Sequence, residues 1–180
     1  AVAQAVETMS GQNIGAGKPD RAEATADFAA KTMFLVLSAM GVVVFVFTEP
    51  IVAIFTTDPA VVDEGANFLR IVAPTFGLLG VLRAYSGSFR GAGKTFISAV
   101  IAISALGVVR LPVAWFGAQE FGPSGIWWSF VVSNAVGATI AFVWYKQGTW
   151  RDSDLTRSEV DLDDDFEGES DVAEAATTDD

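Results

Sequence analysis

Hydrophobic positions along this chain come in long blocks. The first, Thr32–Phe47, starts with Met33, Phe34, Leu35, Val36 and Leu37 and ends in an unbroken apolar run from Gly41 to Phe47. Ile71–Phe89 is the second block, Phe96–Phe116 the third and Ser124–Tyr145 the fourth. Their lengths approach the ~20 residues a helix needs to cross a bilayer. Val-rich runs favour strands in water, but a lone strand in lipid leaves its backbone unpaired, so helix is the expected form. The blocks also lack the polar–apolar alternation of a membrane β-barrel strand. The pattern predicts an all-α fold: a polytopic integral membrane helix bundle with four complete transmembrane helices. Ala1–Ile14, closed by Gly15-Ala16-Gly17, reads as the end of a fifth. The chain is expected to start inside that helix, because no basic region precedes an apolar one as in a signal peptide.

Between the blocks, Lys18-Pro19-Asp20 reads as a turn and Arg21–Lys31 as a polar helix. Glu49-Pro50 ends the first span, and Ile51–Phe55 reads as a short interfacial turn. Thr56-Thr57-Asp58-Pro59 has the form of a helix cap with Pro just inside. Pro74 falls within the helix that follows and is expected to kink it. Trp127-Trp128 and Trp144-Tyr145 mark the two ends of the last span, as interfacial aromatics do.

Charge divides the chain in two. Residues 1–150 carry nine basic and nine acidic side chains, so the whole net charge of −11 lies in residues 151–180. We expect 1–150 to form the membrane domain and 151–180 an acidic tail too polar to bury a core, hence disordered. The loops alternate in basic content. Lys18, Arg21 and Lys31 mark the first, Arg90 and Lys94 the third, and Lys146 and Arg151 the C-terminal side. The second and fourth loops have no Lys or Arg. By the positive-inside rule this places the Gly15 and Gly91 turns and the tail in the cytoplasm. A multi-pass plasma-membrane protein follows, with the lipid bilayer as its first partner. The acid-rich tail and scarce Lys point to a salt-adapted prokaryote.

Candidate chemistry is sparse. With no Cys and no His, disulfides, His/Cys metal sites and nucleophile–His pairs are excluded. No catalytic residue, enzyme activity, metal, bound cofactor or nucleic-acid partner is expected. Gly91-Ala92-Gly93-Lys94-Thr95 has the look of a phosphate loop, but the Gly that motif needs five places earlier is Ser88, and an apolar helix precedes it in place of a strand. The same tetrapeptide occurs as Gly15-Ala16-Gly17-Lys18, so the expected role of Gly15, Gly17, Lys18, Arg90, Gly91, Gly93 and Lys94 is a pair of tight cytoplasmic turns.

Arg110 is the residue that most needs an explanation. It lies about 20 Å from the cytoplasmic end of its helix, where a cation must pair, face water or snorkel outward. Pro112, two residues on, frees a backbone carbonyl. Arg83 and Arg90, seven residues apart, share a helix face. Asn67 and Arg70 lie toward the outer end of the same helix, and Pro74 offers a break near its midplane. Together Arg110, Pro112, Pro74, Arg70 and Asn67 are the substrate or gating candidates. No Asp or Glu falls inside a complete span. Ser129, Ser133, Asn134 and Thr139 read as interhelical glue.

The order and spacing of several stretches resemble the C-terminal lobe of the multidrug and toxic compound extrusion (MATE) family. These are Gln12-Asn13-Ile14-Gly15-Ala16-Gly17-Lys18 with Arg21-Ala22, Phe55-Thr56-Thr57-Asp58-Pro59, Phe68-Leu69-Arg70-Ile71, Arg90–Thr95, and Arg110-Leu111-Pro112 with Gly122–Trp127. The resemblance covers residues 1 to about 147. It implies twelve helices in two lobes around a cavity, and secondary active export of small organic, often cationic, compounds by antiport against sodium or protons. It makes this chain a fragment whose N-terminal lobe is the missing partner. The chain departs from the family in having no acidic residue on the Asn67–Phe89 helix, where some members place an ion ligand. The alternatives are a flippase of the same superfamily moving lipid-linked saccharide, which Arg70, Arg83 and Arg110 all turned inward would support, and a non-transporting membrane assembly subunit.

Overall fold

A computed structural model of the chain describes residues 2–151; the predicted tail lies outside the described residues from 152 onward. Among the described residues every regular element is helical: α1 Val2–Gly15, α2 Pro19–Val46, α3 Thr48–Ala53, α4 Pro59–Val72, α5 Phe76–Gly91, α6 Thr95–Ile103, α7 Leu111–Phe121 and α8 Pro123–Lys146. A 3-10 turn, Ala73–Thr75, joins α4 to α5, and a π-helical stretch, Ser104–Arg110, joins α6 to α7. Four continuous rods are long and apolar enough to cross a membrane: Pro19–Val46, Pro59–Gly91, Thr95–Phe121 and Pro123–Lys146.

The predicted bundle is therefore present, with longer helices than the apolar blocks. Arg21–Lys31 and Thr32–Phe47 merge into the 28 residues of α2. The Lys18-Pro19-Asp20 turn ends at Lys18, because Pro at the first helical position gives up no N–H that a helix would use. The expected interfacial turn after Glu49 is instead a short helix, α3. The cap before α4 is as expected: Asp58 accepts a bond from the Ala60 N–H at 2.9 Å and Pro59 is the first helical residue.

The two Gly-Ala-Gly-Lys turns close in the same way. Ala16, Gly17 and Lys18 donate to Gln12, Ile14 and Asn13, and Ala92, Gly93 and Lys94 donate to Ser88, Arg90 and Phe89, all at 2.8–3.0 Å. The second Gly of each turn is left-handed, with φ +67° at Gly17 and +72° at Gly93, a conformation only Gly adopts freely. The N–H groups that a phosphate would need are spent closing helices.

Packing follows the logic of lipid, not water. Small residues make up much of the inside, where Ala22, Ala26, Ala84, Ala141, Ser88 and Ser133 are buried beside the larger Phe89, Ile101, Tyr145 and Trp150. Large ones cover the outside, with Leu35 68%, Val108 67% and Phe96 81% exposed. Small interior residues let backbones approach closely, which replaces the missing hydrophobic drive between helices in a bilayer. Gly87 and Gly91, one turn apart on α5, are where α1 lies nearest. A Cβ at Gly87 would stand 2.6 Å from the Ala3 carbonyl oxygen, and one at Gly91 would collide with that of Glu7. Beside this contact Ser10 Oγ and Ser88 Oγ are 2.9 Å apart, and Ser88 Oγ is 2.9 Å from Tyr145 Oη, which ties α8 to the same seam. Trp150 stacks on Tyr145 with centroids 4.7 Å apart and donates its Nε1–H to the Tyr145 carbonyl at 2.9 Å.

The two ends of the bundle differ in chemistry. At the end holding both Gly-Ala-Gly-Lys turns, Arg90 pairs with Glu7 at 2.9 Å, and Lys146 pairs with Glu23 at 2.9 Å and Asp27 at 2.6 Å. Arg151 adds pairs to Asp20 and Glu23. Tyr85 donates to the same Asp27 at 3.0 Å. At the other end Arg70 pairs with Glu49 at 2.6 Å, and the Trp127 indole donates to Glu64 at 2.7 Å.

The close α1–α5 contact gives the first prediction. Gly91→Leu forces α1 off α5 and lowers stability by about 2 kcal/mol, typical of overpacking. Thermal unfolding of the purified protein in detergent checks it; an unchanged midpoint means that α1 is not seated on Gly91.

Candidate functional site

A cavity of about 300 Å³ runs between α5, the α6–α7 rod and α8. Its lining runs from Val72 at the end of α4 to Arg90 near the end of α5. Apolar walls come from Val72, Phe76, Leu79, Leu82, Leu106 and Phe130. The polar lining is Arg83, Ser86, Arg90, Ser98, Arg110, Ser133 and Asn134.

Arg110 is the best-held group in it. Its Nε–H donates to Ser133 Oγ at 2.8 Å and its Nη2 to Asn134 Oδ1 at 3.3 Å. The guanidinium carbon sits 4.3 Å from the Phe130 ring centroid, within cation–π range. All three partners are on α8, so the side chain turns across the cavity and does not snorkel outward. The chain of bonds continues. Asn134 Nδ2 donates to Thr75 Oγ1 at 2.9 Å, and Thr75 donates to the Val72 carbonyl at 2.8 Å. Thr75 belongs to the 3-10 turn with Pro74, and Arg110 closes the π-helical stretch. One hydrogen-bonded chain therefore joins the two irregular segments of neighbouring rods through α8.

The prolines account for both irregularities. Pro74 cannot donate to the Arg70 carbonyl, nor Pro112 to that of Val108, so the regular helical ladder fails at both places. The chain tightens to 3-10 at the first and widens to π just before the second. The kink expected at Pro74 is thus a local change of helix type within a rod that continues as α5.

The sequence candidates fall into three places. Arg110 lies in the cavity, Pro112 directly after it and Pro74 at the 3-10 turn. Asn67 and Arg70 lie apart from them: Asn67 donates to Ser124 Oγ at 3.1 Å and Arg70 is engaged with Glu49. Gly15, Gly17, Lys18, Gly91, Gly93 and Lys94 form the two turns, while Arg90 reaches from its turn into the cavity and also donates to Ser98 at 3.2 Å. Ser133 and Asn134 are interhelical glue as expected, but their role as the partners of Arg110 was not read. The available signal was that a mid-span cation requires a polar partner on a neighbouring span, and α8 holds that cluster. Arg83 and Arg90 do share a face, and it is the cavity's. Among the described residues no group of His, Cys, Asp and Glu side chains is arranged to hold a metal.

Removing one member of the relay leaves its neighbours unsatisfied. Asn134→Leu breaks the bonds to Arg110 and Thr75 and costs about 2 kcal/mol. Arg110→Met combined with Asn134→Leu costs less than the two single changes added together. Thermal unfolding of the three variants tests this; strict additivity removes the relay.

The model of the MatE family matches residues 1–116. The probable multidrug resistance protein NorM of Thermotoga maritima is 25% identical over 162 residues, covering 88% of this chain and 35% of that protein. The probable multidrug resistance protein YpnP of Bacillus subtilis is 29% identical over 156 residues, covering 84% of this chain and 34% of its own. Among solved structures, the Vibrio cholerae MATE transporter VcmN in the bent form superposes with a TM-score of 0.78 at 23% identity, covering 85% of this chain and 35% of that one. This last likeness shows the fold. The chain spans about a third of the length of these relatives. Its four apolar rods, their order and the matched segment agree, and the chain belongs to the MatE family of transporters.

Proposed function

We propose that this chain works as the C-terminal-lobe part of a MATE exporter, which expels small organic compounds, often cationic, by antiport coupled to sodium or protons. The observation that carries this reading is the cavity whose guanidinium, Arg110, is bonded to the helix irregularity of the next rod. Alternating access requires segments that bend while the path stays ordered. The 3-10 and π segments supply the bends, and the Arg110–Asn134–Thr75 relay makes them move together. No carboxylate lines the cavity among the described residues, so coupling is assigned to the N-terminal lobe, the proposed partner. Asn67 and Arg70, held at the end away from the basic turns, are assigned to the outer gate. The protein is taken as multi-pass in the plasma membrane with its basic turns and tail in the cytoplasm, and no catalytic role is proposed.

Arg70, Arg83 and Arg110 all in the cavity would support the flippase reading. Arg70 is instead engaged with Glu49 outside it, and the walls are predominantly apolar, which favours export of small organic compounds.

Two experiments test the proposal. Arg110→Ala in the full-length protein should reduce dye efflux and drug resistance to the level of cells lacking the transporter, with expression retained. Unchanged resistance removes Arg110 from the mechanism. For orientation, single cysteines replacing Lys18, Lys94 and Thr57 are labelled in intact cells with a membrane-impermeant maleimide. Thr57→Cys should label from outside and the other two only after lysis; the reverse pattern inverts the topology.

A further inference from the structure

We infer that Phe68 is a positioning residue for Arg110: wedged between two aromatic rings of α8, it sets the ring on which the guanidinium rests. The inference rests on reading Arg110 as part of the transport path, and it adds a route from the outer-end contacts of α4 to that group.

The side chains form a short ladder. Glu64 and Phe68 are four residues apart on α4, and Trp127 and Phe130 three apart on α8, so each pair lies on one side of its helix. Trp127 donates its indole N–H to Glu64 at 2.7 Å. Phe68 meets Trp127 edge-on, with centroids 4.9 Å apart and planes at 65°. It meets Phe130 in the same way at 5.7 Å and 79°. Edge-to-face is an arrangement that aromatic pairs favour. Phe130 in turn lies 4.3 Å, centroid to guanidinium carbon, from Arg110. One ring of α4 is therefore fitted between two of α8, and the second of these is the platform of the cavity's guanidinium. Asn67, next to Phe68, donates to Ser124 at 3.1 Å and adds another tie between the two helices.

Arg110 thus takes its position from two places on one rod. The bonded route, through Asn134, starts at Thr75 beside Pro74 in the 3-10 turn. The ring route, through Phe130, starts at Phe68 in α4, before that turn. A cation–π contact depends on where the face of the ring lies. The bonds of Arg110 to Ser133 and Asn134 leave the Phe130 ring free to turn about its own side-chain torsions. Phe68 limits that freedom. Leu in its place would keep an apolar contact between the helices but present no ring edge to Trp127 or Phe130.

The test combines a stability cycle with transport by the full-length protein. Phe68→Leu and Arg110→Met are made singly and together, in wild type and in a Phe130→Leu background, and unfolding midpoints are measured in detergent. Phe68 and Arg110 both contact Phe130. In wild type the double variant should therefore lose less than the two single losses added, and with Phe130→Leu the losses should add. At matched expression, Phe68→Leu should slow ethidium efflux from cells about fivefold, and Phe68→Tyr, which keeps the ring, should stay near wild type. Additive losses in wild type overturn the inference. So does wild-type efflux with Phe68→Leu where Arg110→Ala abolishes it. A loss with Phe68→Tyr equal to that with Phe68→Leu marks a packing role and overturns it too. Coupling through Phe130 with efflux unchanged by Arg110→Ala leaves the wedge standing and rejects the part given to Arg110 in transport.

Discussion

A guanidinium well inside a transmembrane rod sets the terms for much of this bundle. Water is not there to solvate it, so neighbouring helices must. Arg110 is answered by Ser133 and Asn134 on α8 and by the face of Phe130. Those demands fix the rotation of α8 about its own axis, because a turn of one residue would swing Ser133 and Asn134 away together. They fix α4–α5 as well, since the Asn134 amide that accepts from Arg110 also donates through Nδ2 to Thr75. Three rods are thereby held in register by neutral groups around a single charge.

The second constraint is that apolar side chains cannot glue helices in lipid, where the solvent is as apolar as they are. The chain accordingly places many Ala, Gly and Ser inside and most of its large apolar side chains outside, with Phe89, Ile101 and Tyr145 among the buried exceptions. Polar contacts then decide which helices meet. The Ser10–Ser88–Tyr145 contacts join α1, α5 and α8, and Lys146 with Glu23 and Asp27 joins α8 to α2. The basic residues that mark one set of loops in the sequence are thus of two kinds. Arg90, Lys146 and Arg151 are ion-paired within the bundle, while no ion pair occupies Lys18 or Lys94 among the described residues.

The rods were legible because their signals are local. Apolar length, Gly stops and the Asp58-Pro59 cap all act within a few residues, and each is found where it was read. The helix boundaries shifted because Pro19 can open a helix as readily as it can end a turn, and because a polar N-terminal half, Arg21–Lys31, continues into an apolar one without a break. The site was only half legible. An arginine in an apolar span announces itself, as does a proline. Which neighbours satisfy them depends on helix rotation, a property of the whole bundle. Ser133 and Asn134 were therefore read as glue without the charge they hold. Arg70 and Asn67 join Arg110 among the candidates although they lie toward the outer end of their helix, and there they meet Glu49 and Ser124 and not the cavity.

The same geometry explains why the two irregular segments need each other. A 3-10 turn and a π stretch each leave the backbone easier to bend than a regular helix, and an isolated soft point in a rod bends at random. On the proposed alternating-access reading, the Thr75–Asn134–Arg110 chain limits that freedom. Straightening the Pro74 region moves Thr75, which draws on Asn134, which shifts the acceptor of Arg110. On that reading, a motion of α4 against α5 would pass to the α6–α7 rod through these bonds. Arg110 is suited to this task because its planar fork tolerates little rotation while bonded. Lys at this position would keep the charge and lose the coupling, since one ammonium on a flexible stem can follow Ser133 or Asn134 separately. The bends and the charge are thus parts of one device, and the cavity they share is where a bound molecule could act on both.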